Sequence, residues 1–560
     1  MIAPATDYDV VVLGAGAGGM TAACVAAAEG LRVLLVEKAP QVGGTSAISG
    51  GMVWMPANAK MASAGLADSL DAARTYLAAT VPGDFNTEVR AAFLAHADET
   101  IAYLEAHTAL QFRPVRRYPD YYPDLAGATL GGRVLEALPF DARKLGADFA
   151  LLRAPLPEFM LFGGLMVARA DLPLFLRFGR SWQATQRVAR ILLGYAWQRL
   201  RYPRGTDLAL GNALTGRLLL SLRRLGVELR LATAASGLIR EGGIVTGVTL
   251  GDGTATVGVR KGVVIATGGF SHDASLRARF QPQAAAPLSA TCPTVSGDGI
   301  RLALAADASL EERNANHFFW VPASRYRRRD GSECIFPHTI TDRAKPGVIA
   351  VNRQGRRFVN EAVSYHAFVT AMLREGNEGP AVPAWLICDR DFIWRYGLGA
   401  VRPFSLSLAW PKSSFYLTEA GSIRALAGAL GIDADGLEAT VTGFNAQAEH
   451  GQDPEFGRGG DEYQRHLGDA LVSPNPCVRP IRRPPFYAVR IEPADLGTST
   501  GLRVDAQARV LDRNGVPVPH LYACGNDMAS VMNGAYPGPG ITLGPALTFG
   551  YLAARTIAGR

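Results

Sequence analysis

Three glycines near the start of the chain have the spacing of a phosphate-binding turn. Gly14, Gly16 and Gly19 directly follow a short β-branched segment and precede an Ala-rich one. In such a turn the first glycine permits a tight bend, the second lets the backbone approach a pyrophosphate, and the third allows close helix packing. The Ala-rich segment is predicted to be a helix, whose N-terminal N–H groups bind phosphate. The pattern therefore predicts a dinucleotide-binding site.

An acidic residue completes this pattern. Residues 31–36 are predicted to form a second buried strand, and Glu37 ends that strand eighteen residues after Gly19. A carboxylate at this place accepts hydrogen bonds from ribose hydroxyls. Because strand, glycines, helix, strand and acid occur in order, we predict a Rossmann-like nucleotide-binding unit rather than a set of ordinary surface turns.

Three later segments extend the nucleotide site along the chain. The loop 43–51 consists mostly of small residues, which would let a bulky ring system lie against the backbone. Segments 263–270 and 521–526 are predicted to be buried strands that lead into glycines. Together with the N-terminal unit, these segments resemble the FAD-binding domain of the fumarate reductase/succinate dehydrogenase flavoprotein superfamily.

The resemblance implies an α/β fold with a discontinuous Rossmann-like FAD-binding domain, whose first and last segments meet around one FAD, and an α+β catalytic domain. The predicted limits are 1–270 and 486–560 for the FAD-binding domain and 271–485 for the catalytic domain. Within these limits we predict helices at 68–82 and 87–107, a hairpin of 244–250 with 258–265, and a strand at 487–491 that returns to the nucleotide domain. Noncovalent FAD is expected, since loop 43–51 has no His for a covalent link. The predicted cofactor-binding residues are Gly14, Gly16, Gly18, Gly19, Glu37, Lys38, Gly44, Thr45, Ser46, Gly50, Gly51, Thr267, Gly268, Gly269, Gly525, Asn526, Thr542 and Leu543.

The composition excludes several classes of protein. With 48% hydrophobic and 19% charged residues, the 560-residue chain is globular and long enough for two domains. Its six cysteines are scattered without a CxxC pair, which predicts free thiols in a reducing compartment and no metal site. No apolar stretch reaches the roughly 20 residues that span a bilayer, and the first strand begins too early for a signal peptide. We therefore expect a cytoplasmic protein.

Residues 151–204 differ from the rest of the chain. They contain nine Arg and two acidic residues, an excess equal to the net charge of +7 of the whole chain. A basic helical insertion rich in large apolar residues is typical of a segment that lies on an anionic membrane, on the inner face here. The alternative is an ordinary insertion with a solvated basic face. Nucleic acid is not expected as a partner, because the charges alternate with aliphatic residues instead of forming a polar stripe.

Four motifs make the resemblance closer. They are Asp-Tyr-Tyr-Pro at 120–123, Asn-Glu-x-x-x-Tyr at 360–365, Asp-Leu-Gly-Thr at 495–498 and Tyr-Pro-Gly-Pro-Gly at 536–540. Together they resemble 3-ketosteroid Δ1-dehydrogenases, which remove two hydrogens from C1 and C2 of a steroid A ring. The resemblance covers nearly the whole chain and is weakest in the insertion 151–204.

This resemblance implies roles for four residues. Tyr365 is expected to take the C2 proton, with Tyr121 as its supporting phenol. The Tyr536 hydroxyl and the Gly540 N–H are expected to donate to the C3 carbonyl, which stabilises the enolate as an oxyanion hole does. The C1 hydrogen would leave as hydride to FAD. Because a phenol has a pKa of about 10, we expect a hydrogen bond from Tyr121 to lower the pKa of Tyr365.

Other flavin reactions remain open at this point. They are 3-ketosteroid Δ4-(5α)-dehydrogenation and another enone-forming or enone-reducing reaction, and a membrane-associated electron carrier is the non-enzymatic alternative. The electron acceptor is expected to be a quinone or a similar compound. Fumarate reduction is disfavoured, because it needs cationic groups for a dicarboxylate and the segment 535–544 is neutral.

Four positions depart from the pattern of these dehydrogenases. Ser364 stands where Pro is usual, Ser499 and Thr500 replace Lys-Gly, and Asn533 precedes the final motif. We expect these positions to flank the substrate cavity and to affect the choice of substrate more than the reaction type.

Overall fold

The computed structural model describes residues 8–176, 178–179, 181–281, 288–340, 342–374 and 379–560. Its architecture confirms the predicted α/β class. A largely parallel sheet forms the nucleotide-binding domain, and a largely antiparallel sheet forms a second domain.

The parallel sheet contains the segments that were predicted to bind FAD. Its parallel strands are, in spatial order, Pro517–Ala523, Ala255–Ile265, Tyr8–Leu13, Val33–Val36 and Glu228–Arg230. Arg509–Leu511 adds an antiparallel edge. Ile244–Leu250 forms the predicted hairpin with Ala255–Ile265, and Ala235–Glu241 pairs with its outer strand. The strand Tyr8–Leu13 is buried because it is central and covered on both faces. The first and last segments of the chain thus meet in one sheet, as predicted.

Helices cover this sheet and connect it to a small three-stranded sheet. Ala17–Ala28 packs closely against Leu543–Ile557, since a Cβ at Gly550 would lie 2.6 Å from the carbonyl oxygen of Gly18. The other helices of this part are Gly44–Ile48, Ala59–Ser63, Leu70–Thr80, Thr87–His107 and Leu210–Arg224. The small sheet comprises Met52–Trp54, Val134–Ala137 and Phe112–Pro114, and a further strand pair is Phe140–Asp141 with Asp207–Leu208.

The antiparallel sheet forms the centre of the second domain. Its strands are, in spatial order, Glu333–Pro337, Phe318–Arg327, Phe486–Thr498, Ala384–Asp389 and Val348–Val351, with Leu288–Ser289 and Thr418–Ala420 also paired to Phe486–Thr498. A separate short pair is Leu310–Glu311 with Gly501–Leu502. The helices are Ala274–Phe280, Tyr365–Leu373, Arg390–Tyr396, Ala409–Ser413, Ile423–Leu430, Ala434–Ala448 and Glu462–Leu467. Asp298–Ala305 packs instead against Ala235–Glu241 and Ala255–Ile265 of the first domain.

One prediction about the chain path is wrong. The strand predicted at 487–491 was expected to return to the nucleotide domain, but Phe486–Thr498 is the central strand of the antiparallel sheet. The chain reaches the parallel sheet again only at Pro517–Ala523. An apolar strand pattern reports burial and not the identity of the partner strand, so the sequence could not distinguish the two sheets. The domain limits at 270 and 485 stay predictions.

The insertion 151–204 contains less regular helix than predicted. Its helices are Leu172–Leu176 and Trp182–Arg199, preceded by the 3₁₀ turns Pro157–Phe159 and Arg169–Asp171. Arg177 and Arg180, two of its nine arginines, lie outside the described residues. Among the described helices, none combines the length and apolar character that crossing a membrane requires.

Candidate active site

A single cavity of about 1070 Å³ connects the nucleotide-binding segments with the predicted catalytic tyrosines. Every predicted site residue lines this cavity except Gly269, whose N–H donates instead to the buried carboxylate of Asp527. The cavity continues past the tyrosines to the insertion and to the segment 395–404. A cofactor and a substrate would therefore share one enclosed space.

The glycine turn leaves room where a pyrophosphate would lie. A Cβ at Gly14 would be 2.2 Å from the carbonyl oxygen of Ala266, and one at Gly19 would be 2.0 Å from that of Gly14. At Gly16, by contrast, the nearest other atom is the Ser46 hydroxyl oxygen at 3.9 Å, so a side chain there would enter the cavity. The first and third glycines allow close packing of the chain, and the second leaves the space for a pyrophosphate open.

Other groups at the glycine-turn end of the cavity suit a dinucleotide. The helices Ala17–Ala28 and Leu543–Ile557 both begin at the cavity, where their N-terminal N–H groups favour anions. The Glu37 carboxylate accepts hydrogen bonds from the Ala15 and Ala39 N–H groups, each at 2.8 Å, which holds it at the cavity wall. The residues present therefore fit FAD.

Four buried tyrosines meet at the other end of the nucleotide site, and we call Tyr121, Tyr365, Tyr463 and Tyr536 the tyrosine cluster. The Tyr121 hydroxyl donates to the Tyr365 hydroxyl oxygen at 3.0 Å. The ring centroid of Tyr536 lies 5.1 Å from that of Tyr365, and the ring of Tyr463 lies 4.7 Å from that of Tyr121. Sequence reasoning missed Tyr463, because a single Tyr on a short helix gives no signal.

Burial controls the protonation of this cluster. Burial, and then the neighbouring Tyr536, raise the pKa of Tyr365 well above its ordinary value, while the hydrogen bond from Tyr121 lowers it by less. The expected effect of Tyr121 is therefore present but smaller than the effect of burial. Burial also raises the pKa of Tyr536 to about 12, so this hydroxyl keeps its proton at neutral pH and can donate.

Buried charges hold the loop that contains Tyr121. The Asp120 carboxylate accepts hydrogen bonds from the Trp54 indole at 2.9 Å and from Arg133 at 2.8 Å. The Tyr121 N–H donates to the Pro537 carbonyl oxygen at 3.0 Å, which ties this loop to the segment containing Tyr536. Two motifs that are distant in sequence thus form one unit.

Gly540 presents an N–H group to the same space. Its φ is +93°, and a Cβ there would lie 2.5 Å from the Met52 carbonyl oxygen, so only glycine fits. Within the described part of the chain, the Gly540 N–H has no hydrogen-bond acceptor. This donor and the Tyr536 hydroxyl line the same cavity and are both available to a carbonyl oxygen.

The four departures from the resembling family do not line the cavity themselves, although Ser364 directly precedes Tyr365, which does. Ser364 caps the helix Tyr365–Leu373, because its hydroxyl oxygen accepts the Ala367 N–H at 3.2 Å. Ser499, Thr500 and Asn533 are fully buried and bond to neighbouring chain segments. Short polar side chains at these positions satisfy buried polar groups, most of them in segments distant along the chain.

The chain is similar over nearly its full length to known FAD-dependent dehydrogenases. The family model described as "FAD binding domain" matches residues 9–543. The chain is 37% identical to 4-oxocyclohex-2-ene-1-carboxylate 5-dehydrogenase of Sinomonas cyclohexanicum, over 98% of this chain and 93% of that protein. It is also 37% identical to 3-oxosteroid 1-dehydrogenase of Mycobacterium tuberculosis, over 99% of this chain and 98% of that protein.

A solved structure is similar over the full length. It is the 3-ketosteroid Δ1-dehydrogenase of Sterolibacterium denitrificans in complex with 1,4-androstadiene-3,17-dione. The TM-score is 0.91 and the identity 39%, with 99% of this chain and 100% of that chain covered.

The mode of cofactor attachment can be tested directly. We expect acid precipitation of the purified protein to release all yellow colour into the supernatant, because loop 43–51 offers no His to the flavin. The measurement is flavin absorbance of supernatant and pellet. Colour that stays in the pellet after washing would contradict noncovalent binding.

Proposed function

The chain belongs to the FAD-binding flavoprotein family, uses FAD as its cofactor and dehydrogenates oxo-compounds, and we propose that it removes the C1 and C2 hydrogens of 3-ketosteroids. FAD, when bound, supplies the acceptor for the hydride from C1. In this proposal Tyr365 takes the C2 proton, and Tyr121 donates a hydrogen bond to its oxygen. Tyr536 and the Gly540 N–H hold the C3 carbonyl and stabilise negative charge on its oxygen. The juxtaposition of Tyr121 and Tyr365 at 3.0 Å is the observation that most supports these roles.

The cavity wall favours a neutral substrate over an oxocyclohexane carboxylate. Two of its cations already pair with carboxylates, namely Arg395 with Asp469 at 2.9 Å and Arg169 with Glu136 at 3.3 Å. A third, Lys345, donates to two backbone carbonyl oxygens, at 2.7 and 2.8 Å.

The three remaining basic groups of the described wall are also occupied or neutral. Lys38 pairs with the Asp298 carboxylate. Arg402 donates to the carbonyl oxygens of Pro157 and Met160. Burial lowers the pKa of His466 to about 4, so its ring is neutral at neutral pH. A substrate carboxylate would therefore have to compete with carboxylates and backbone carbonyls that already occupy the cations of this wall, and losing its hydration without such an exchange is costly.

Aromatic side chains line the part of the cavity beyond the tyrosine cluster. Phe159, Phe162 and Phe175 come from the insertion, and Phe336 and Phe404 from the second domain. Burying apolar surface contributes roughly 25 cal/mol per Å² to binding. A large apolar ring system would therefore bind here more favourably than a substrate with a single ring. This wall supports a steroid as the substrate.

Anaerobic reduction of the flavin tests the proposal. We expect 3-ketosteroids to bleach the flavin and 4-oxocyclohexanecarboxylate to have little effect at equal concentration. With an artificial electron acceptor, the new double bond should lie between C1 and C2, which product analysis by NMR would show. Bleaching by the carboxylate alone would overturn the substrate class, and a Δ4 product would overturn the site of reaction.

Replacement of Tyr536, the proposed donor to the C3 carbonyl oxygen, should affect turnover rate and substrate affinity together. We expect Tyr536→Phe to reduce turnover by about 10²–10³-fold, the usual effect of removing one oxyanion donor, and to raise KM for the ketone. For the same reason a 3-hydroxysteroid should be a poor substrate, since it has no carbonyl to enolise. Efficient turnover of a 3-hydroxysteroid without prior oxidation at C3 would refute this role.

We further propose that the insertion places the cavity entrance on an anionic membrane. Large apolar side chains project into solvent along this segment, and more than half of each is exposed. They are Phe162, Leu172, Phe178, Trp182, Leu193, Trp197 and Leu200. Exposed arginines Arg187, Arg190 and Arg199 accompany them. Apolar groups together with arginines match a surface of acyl chains and phosphates, and Phe162 also lines the cavity.

Cosedimentation with liposomes tests this membrane proposal. We expect binding to anionic vesicles at low salt that weakens at high salt, since each Arg near the surface contributes about 1 kcal/mol. Changing Arg187, Arg190 and Arg199 to Gln should release the protein. The control changes three exposed arginines elsewhere, Arg424, Arg482 and Arg483, to Gln and should retain binding. Equal behaviour of the two triple variants would contradict the proposal.

A further inference from the structure

Tyr76 is a fully buried tyrosine whose hydroxyl lies between two loops of the tyrosine cluster. This hydroxyl donates to the Pro537 carbonyl oxygen at 2.6 Å, and its oxygen accepts the Tyr122 N–H at 3.3 Å. Pro537 directly follows Tyr536 in the chain, and Tyr122 directly follows Tyr121. A single side chain therefore holds the backbone next to one cluster tyrosine in each of two loops that are distant in sequence.

Other contacts fix the place of this phenol. The Pro537 carbonyl oxygen also accepts the Tyr121 N–H at 3.0 Å, so the same oxygen receives two donors. The Arg133 guanidinium lies over the Tyr76 ring, 5.5 Å from its centroid. Arg133 is itself paired at 2.8 Å with Asp120, the residue before Tyr121. Because its ring is packed and its hydroxyl makes two hydrogen bonds, Tyr76 is held in one position and can hold the loops in turn.

The proposed reaction depends on the geometry that Tyr76 holds. The Tyr121 hydroxyl lies 3.0 Å from that of Tyr365, and the ring centroids of Tyr121 and Tyr536 are 5.8 Å apart with an interplanar angle of 15°. A hydrogen bond weakens steeply as its geometry departs from the ideal, and a misplacement of about 1 Å can cost roughly 10²-fold in rate. Tyr76 itself does not line the cavity, so its effect on the reaction would pass through these tyrosines.

We propose that Tyr76 is a positioning residue that fixes Tyr121 and Tyr536 relative to Tyr365, the proposed base. The inference rests on the proposed function, and it assigns no proton transfer to Tyr76. Loss of the Tyr76 hydroxyl removes one hydrogen bond from each loop, so the phenols of Tyr121 and Tyr536 would occupy their places for a smaller fraction of the time. The cluster would keep its chemical groups and lose their alignment.

Tyr76→Phe tests this inference, because phenylalanine keeps the buried ring and removes only the hydroxyl. We expect turnover of a 3-ketosteroid to fall by about 10–10²-fold, with a smaller change in KM and with FAD content unchanged. Exchange of the C2 hydrogen with deuterated solvent should fall in parallel. In a Tyr121→Phe background the same substitution should cause a clearly smaller loss, since the hydroxyl that it helps to place is already absent. A loss unrelated to positioning would instead be equal in both backgrounds.

Ser221→Ala is the matched control. The Ser221 hydroxyl is also buried, donates to the Arg217 carbonyl oxygen at 2.8 Å and accepts the Ala109 N–H at 2.9 Å, and like Tyr76 it does not line the cavity. Neither of its partners belongs to the tyrosine cluster, so this variant should keep wild-type turnover and exchange. Wild-type turnover of Tyr76→Phe would overturn the inference, as would equal losses with and without the Tyr121 hydroxyl. If the wild type exchanges the C2 hydrogen of no 3-ketosteroid, the proposed function fails and the inference fails with it.

Discussion

Tyr365→Phe is expected to reduce steroid turnover by about 10²–10⁴-fold, the usual contribution of a general base. Phenylalanine fills nearly the same volume, so the packing of Tyr365 against Tyr536 should persist and steroid affinity should change little. Exchange of the C2 hydrogen with deuterated solvent should fall to the same extent as turnover. Tyr121→Phe should have a smaller effect on both, because it removes only the hydrogen bond at 3.0 Å.

The matched control is Tyr551→Phe. Tyr551 is 2% exposed and its hydroxyl donates to Glu99 at 2.7 Å, but it does not line the cavity. This variant should keep its FAD and its wild-type turnover. Turnover of Tyr365→Phe within a few-fold of the wild type, with FAD content equal, would show that another group removes the C2 proton.

Arg357→Met is expected to reduce the free energy of unfolding by about 3–5 kcal/mol, the usual cost of breaking a buried ion pair from one side. The Arg357 guanidinium is bidentate to Glu361, at 2.8 and 2.7 Å, and to Asp453, at 2.8 Å for both bonds. All three side chains are at most 2% exposed. Methionine would leave two buried carboxylates without the Arg357 charge, and among the described residues Glu361 would keep an ion pair with Arg458 alone.

Chemical denaturation followed by circular dichroism, at saturating FAD, measures this effect. Arg424→Met is the control, since Arg424 also bonds two carboxylates, Asp435 and Glu438, but on the surface. Solvent-exposed pairs contribute little, so the control should unfold near the wild-type midpoint. Similar destabilisation by the two substitutions would mean that burial of the Arg357 network is not what stabilises the fold.

The same ion-pair network makes the stability of the fold depend on acidic pH. Burial alone would raise the pKa of Glu361. The charges of Arg357 and then Arg458 lower it by more, so the net pKa lies below its ordinary value. A carboxylate with a depressed folded pKa stabilises the fold above its unfolded pKa, and that contribution is lost as the pH falls through the folded value. Glu361 does not line the cavity, so this carboxylate contributes to the stability of the fold through Arg357 and Arg458.

Several features of this protein could be predicted from the sequence because they depend on neighbouring residues. The turn Gly14–Gly19, the strand before it and Glu37 after it are local, and the cavity indeed includes them. The helices at 70–80 and 87–107 and the hairpin before 265 likewise follow from periodicity that short segments contain by themselves.

Long-range pairing was decided by the tertiary structure. The strand Phe486–Thr498 has an apolar pattern that suits either sheet, and only packing assigns it to the antiparallel one. The cavity wall from Phe159 to Phe404 joins segments more than two hundred residues apart. Their residue types match ordinary apolar loops, so no sequence signal marked them as part of a site.

The electrostatics of the site also depend on the folded chain. From the sequence, Tyr121 and Tyr365 are two phenols with ordinary pKa values. Folding removes both from water, and burial then becomes the largest influence on their pKa values. Residue types and local spacing therefore determined the nucleotide-binding turn and the candidate chemistry. Only tertiary packing decided which of these groups meet and how much free energy their ionisation costs, because distance and desolvation are properties of the fold.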